Sequence, residues 1–205
     1  MDGTEEAVAL IGVCIAVIGY FIKYRIDLRL AQRNDRLERI NRQLSEFYGP
    51  LLALTRSSGQ SWQAFRQRYR PPGSESFWKS DPPPTRDDTI AWRLWMTTVF
   101  MPVHQRMMEL VLNRADLIEE PEMPPCLLDL CAHVNGYQAI LKEWETGEIS
   151  MARADNISVV NFPGQELAEY AATAFSRLKA EQARLLGSTE KTGRSSKRTW
   201  RGVVF

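Results

Sequence analysis

The chain has 205 residues, a net charge of +1, three cysteines and two histidines. That length suits one modest hydrophobic core, and the ordinary apolar share excludes a collagenous, fully disordered or disulfide-built protein. Near-neutrality hides a segregation: residues 1–22 hold three acids and no base, and the net charge is then +7 over 23–70, −9 over 71–170 and +6 over 171–205.

Residues 7–22 read AVALIGVCIAVIGYFI, sixteen positions without a charge. As a helix this run spans about 24 Å. Tyr20, Phe21 and Tyr24 suit an interface, and Lys23 can snorkel outward, which extends the segment toward the roughly 30 Å of a hydrocarbon core. Asp2, Glu5 and Glu6 precede it, where a secretory signal would carry bases. The reading is a transmembrane helix over 7–24, with a short extracytoplasmic N-terminus at 1–6. Lys23, Arg25, Arg29, Arg33 and Arg36 follow the span closely, so the positive-inside rule keeps the rest of the chain cytoplasmic, at a plasma or inner membrane. The same bases suit contact with an anionic lipid surface. Gly12, Ala16 and Gly19 offer a small-residue face through which two copies of the span could pair.

Leu30, Leu37, Leu44 and Leu51 recur every seven residues, with Ile26, Ile40, Phe47 and Leu54 on the alternate seam. This heptad spacing over 25–48 describes a helical stalk, fitting either a self-associating coiled coil or a bundle helix packed on its own domain. Gly49-Pro50 predicts a kink or restart, because the residue before proline is pushed out of the helical region. A second helix then runs to about residue 70 and carries Leu51, Leu54, Trp62, Phe65 and Tyr69, before a proline-rich loop.

Thr85 and Asp88 form a capping box that opens a helix with Trp92, Trp95, Val99, Val103, Met107 and Leu110 on its apolar stripe, bent at Pro102. Pro124-Pro125 opens the next, with Leu127, Leu130, Val134, Tyr137, Leu141 and Trp144 inward, ending at Gly147. A loop over 148–163, extended at 157–160, leads to a last helix over 165–186 that Gly187 stops. The domain spans 49–186, and 187–205 reads as a disordered basic tail. The fold class is therefore all-α: an N-terminal transmembrane helix, a stalk and a cytoplasmic helical bundle.

The stretches RLERINRQLSEFYGPLLAL, WRLWMTTVFMP and LCAHVNGYQAILKEWE resemble an uncharacterised group of bacterial-type single-span membrane proteins with a helical cytoplasmic domain, marked by FYGPL. The resemblance covers most of residues 30–186. It implies no activity and carries over no functional residue.

No nucleotide-binding, serine-hydrolase or zinc-hydrolase motif occurs. Cys14, Cys126 and Cys131 pair with neither histidine at zinc spacing, so neither metal nor cofactor is expected. Glu119, Glu120 and Glu122 have the chemistry of a cation site but the setting of solvated loop acids. His104 and His133 lack an adjacent nucleophile or carboxylate in sequence. Trp92, Trp95, Met96, Phe100, Met101, Met107 and Met108 suit either a core or an apolar pocket. Asn156-Ile157-Ser158 matches a glycosylation sequon on what would be the wrong side of the membrane. Arg66, Arg68 and Arg70, interleaved with aromatics, and Lys197, Arg198 and Arg201 in the tail are candidate partner-binding bases, with nucleic acid the less favoured partner. The expectation is a non-enzymatic, membrane-tethered interaction or scaffold protein. The alternatives are an accessory subunit of a membrane complex, or an enzyme or ligand-binding domain whose site is dispersed over several helices.

Overall fold

The computed structural model describes residues 2–70, 77–78, 81–147 and 149–187, with side chains from residue 16 onward. Among them the chain is all-helical, without strands. Helix α1 (Asp2–Arg42) passes through a π-helical segment (Gln43–Tyr48) directly into α2 (Gly49–Tyr69). Helix α3 (Arg86–Trp95) does the same through Met96–Phe100 into α4 (Met101–Asn113). With α5 (Pro125–Thr146) and α6 (Gly164–Leu185) this makes four continuous rods.

The restart expected at Gly49-Pro50 is not seen; the chain stays helical. Proline in an α-helix lacks its N–H and drives its ring into the carbonyl four residues back. A π turn reorganises that spacing: Gly49 N–H donates to the Leu44 carbonyl, five residues back. Gly49 holds helical φ −65° and ψ −55° ahead of proline, as Met101 does at φ −63° and ψ −40° ahead of Pro102, so the wider π turn and not a missing Cβ accommodates the proline ring. A Cβ built at Gly49 would overlap the Leu44 carbonyl oxygen. Pro102 is handled alike, with Met101 N–H donating to the Met96 carbonyl. The capping box at Thr85 and Asp88 is present in both directions, satisfying N–H groups that a helix start leaves unpaired.

Helix α6 packs along the junction of α1 and α2, and α4 lies between α2 and α5. Ile40, Leu44 and Phe47 of the heptad seam are buried in this core, which is the bundle-helix alternative. Ile26 and Leu30 are exposed. Burying the former set is worth roughly 1.5–3 kcal/mol per side chain, which explains why the seam leaves solvent where α6 ends. The loop at 149–163 forms no strand; it carries a short 3-10 turn, Arg153–Asn156, after which Ile157 has extended backbone at φ −138° and ψ 148°. Among the described residues no helix is long and apolar enough to cross a membrane. The side chains at 7–15, over half of the uncharged run, lie outside the described residues, as does nearly all of the basic tail.

Candidate functional site

Three rods, the first turn of α6 and the 149–163 loop enclose a cavity of about 470 Å³. Its wall begins on α2, where Thr55, Ser58 and Trp62 sit on the inward stripe begun by Leu51. Met96 and Phe100, on the π segment before α4, and Trp92 form the facing wall. His104, one turn beyond Phe100, and His133 of α5 complete the interior, while Gly59, Arg153, Asn161 and Gln165 are exposed at the rim.

The aromatic side is tightly interlocked. Trp62 meets Trp92 edge-on at 5.9 Å and Phe100 at 6.0 Å between centroids, and Phe77 stacks on Trp92 at 5.2 Å. Edge-to-face and offset contacts suit ring quadrupoles and hold each ring in one orientation. The loop is fixed by a hub at buried Asn156. Its carbonyl accepts from Trp92 Nε1 at 2.8 Å and Tyr137 Oη at 3.1 Å. Its side chain donates to Ser150 O and Ala152 O and accepts from Arg93 Nε at 2.8 Å. Gly136 lets the loop approach α5, since a Cβ there would overlap Ser158 Oγ.

Both imidazoles are buried and neutral. Burial, and secondarily the neighbouring His133, holds the His104 pKa down to about 3. Burial lowers His133 as well. His133 Nδ1 donates to the Val160 carbonyl at 2.9 Å, which fixes its tautomer and leaves Nε2 as a lone pair without a partner. His104 Nε2 lies 3.2 Å from Ser58 Oγ, and its ring stacks on Phe162 at 3.9 Å, but Nδ1 is unpartnered. The ring centroids are 5.3 Å apart. Ser58 and His104 resemble two parts of a nucleophilic triad, yet among the described residues no third group partners His104 Nδ1. A base about four units below neutral pH, with no carboxylate to orient it, does not activate a hydroxyl. The chemistry favours binding over proton transfer.

The sequence singled out His104, His133, Trp92, Met96 and Phe100, and folding brings them together. Sequence reading missed Ser58, Thr55, Phe162 and Arg153. A detectable signal was the presence of Thr55 and Ser58 on an otherwise apolar stripe. The basic candidates are scattered. Lys23, Arg25 and Arg29 are exposed on α1. Arg33 donates to the Leu185 carbonyl at the end of α6, and Arg36 forms a two-point contact with Glu181 at 2.9 and 3.1 Å, whose carboxyl it holds below the ordinary value. Both therefore tie α1 to α6. Arg66 is half-buried, and Arg68 lies over the Tyr69 ring. Arg70 is buried over the Phe77 ring at 4.3 Å, 3.6 Å from Asp88, an interior place. Lys197, Arg198 and Arg201 lie outside the described residues.

Glu119 is paired with Arg177, and Glu120 accepts from Tyr170. Among the described residues no group of three or more metal-ligating side chains converges. Cys126 and Cys131 are free thiols whose pKa burial raises. Asn156 of the sequon is fully buried. Comparisons with protein-family models, curated proteins and solved structures give no match.

Proposed function

We propose that this chain is a membrane-tethered helical domain that binds a small, largely apolar ligand in the cavity between α2, the α3–α4 rod and α5. The observation that carries the reading is the cavity itself: aromatic walls around two buried, neutral imidazoles that keep unpartnered nitrogens. Its volume falls within the roughly 300–1,000 Å³ of ordinary ligand sites, which pair apolar walls with a few polar groups. An interaction scaffold or accessory subunit rests on segregated charge and on exposed Ile26, Leu28 and Leu30; neither predicts the cavity.

The tether is supported by the uncharged run at 7–22 and by exposed Val17, Ile18, Tyr20, Phe21 and Ile22. Thirty-four residues of nearly continuous helix separate Tyr24 from Ser58, about 50 Å at 1.5 Å per residue. A ligand would thus arrive from the aqueous phase, well clear of lipid.

Gly59 supplies a test. It lies on the rim inside α2, and a Cβ there meets open space. Gly59→Trp is expected to leave the fold intact, since losing a helical glycine favours the helix by up to about 1 kcal/mol, while placing an indole at the mouth. Saturation-transfer NMR with aromatic fragments is expected to show binding to the native chain and loss in the variant. Fragments that bind neither protein, or both equally, would refute the cavity reading. Carbonate washing of membranes tests the tether: release of the chain into the supernatant would refute it.

A further inference from the structure

We infer that the ligand of this cavity is a small planar aromatic acid, held ring-first against Trp62, Trp92 and Phe100, with a hydrogen-bond donor toward His133 Nε2 and its carboxylate at Arg153. The inference rests on the cavity reading above and adds to it the polarity of the occupant.

Charge at the cavity is selective. The stretch 71–170 holds sixteen acids against seven bases, yet among the described residues no carboxylate lines the cavity and Arg153 is its one charged side chain. Arg153 sits on the 3-10 turn held down by the Asn156 hub, exposed and, among the described residues, in none of the ion pairs. A cationic ligand would find no counter-ion and a repelling guanidinium. An anionic one finds a planar fork of donors suited to a carboxylate. On the buried lining, Val160 commits His133 to presenting an acceptor, which a donor on the ligand satisfies, while Trp78 Nε1, a buried donor without a hydrogen-bond partner among the described residues, takes an acceptor. Ser58 can turn its hydroxyl to suit either tautomer of His104, so that imidazole adapts to its neighbour. Between these groups the rings accept a flat body by stacking or edge contact.

The test uses one ring system with three tails: indole-3-acetate, indole-3-ethanol and tryptamine, titrated calorimetrically into the full chain in mild detergent. The acid is expected to bind about fivefold tighter than the alcohol, and the alcohol about fivefold tighter than the amine, the scale of an exposed charge pair. Arg153→Gln is expected to bring acid and alcohol together without weakening the alcohol. 1-Methylindole-3-acetate, which lacks the ring N–H, is expected to bind at least fivefold more weakly than the acid. Equal binding of acid and alcohol, or an acid preference that survives Arg153→Gln, overturns the role of charge while leaving the cavity reading intact. An undiminished methylated acid overturns the donor. If none of the probes binds and aromatic fragments also fail, the cavity reading falls with it.

Discussion

Acidification from pH 7 to pH 5 is expected to cost the folded domain about 2 kcal/mol through His104 alone. In the unfolded chain an imidazole takes up its proton near pH 6.5, whereas burial holds the folded His104 down to about 3. Between those values the unfolded state binds more protons, so stability is full above about 6.5 and is lost as pH falls. The slope approaches about 1.4 kcal/mol per pH unit, and its integral over this interval gives the figure above. His133, lowered by burial too, adds in the same direction. Glu181, held below the ordinary carboxylate value by Arg36, loses its contribution chiefly below the ordinary carboxylate range, so it adds little above pH 5 and in the same direction. Urea denaturation followed by tryptophan fluorescence at pH 7, 6 and 5 measures the loss. His104→Gln, which keeps a hydrogen-bonding group near Ser58 but cannot titrate, is expected to flatten the slope markedly. Stability that holds to pH 5, or an equal slope in the variant, would show that water reaches the imidazole and that it protonates in place.

Gly49→Ala is expected to lower stability by about 1–3 kcal/mol, the scale of overpacking, because the new Cβ overlaps the Leu44 carbonyl; Gly59→Ala, in open helix, is expected to raise it by up to about 1 kcal/mol. Paired thermal melts distinguish the two. Asn156→Ala removes three side-chain hydrogen bonds at a buried hub and is expected to cost about 2–4 kcal/mol, with hydrogen exchange accelerated first over 149–163. Asp88→Ala breaks the capping box and strands the buried Arg70 guanidinium, for a combined loss of about 2–4 kcal/mol. Asp88→Asn, which keeps an acceptor for the cap, is expected to recover part of it in the same melts.

Local signals in the sequence led to the right rods where they act locally. The Thr85 box starts its helix, the stripe through Leu127, Leu130, Val134 and Tyr137 is buried, and Gly187, at φ 75°, lies just past the end of α6. The junction at Gly49-Pro50 stays helical, like that at Met101-Pro102, because a π turn precedes each proline, which the pre-proline rule does not take into account. The cavity was legible only in fragments. Ser58, His104, His133 and Phe162 come from three rods and a loop, and no spacing relates them. Each alone reads as core, and what makes them a site is the space left between them. Arg33 and Arg36 show the converse: five positions of juxtamembrane charge read as a surface, yet two of them find partners on α6, 152 and 145 residues away.

The π segment at Gln43–Tyr48 also sets a rotational phase. At about 4.4 residues per turn instead of 3.6, six residues turn the helix roughly 100° less than α geometry would. The face that α1 presents below the domain is therefore offset from the face α2 presents to the cavity, so the heptad line drawn through Leu30, Leu37, Leu44 and Leu51 winds around the rod. One residue governs that offset. Its deletion would restore α geometry, remove the accommodation of Pro50 and swing the exposed apolar half of α1 by about a quarter turn, while every residue lining the cavity keeps its place in the chain.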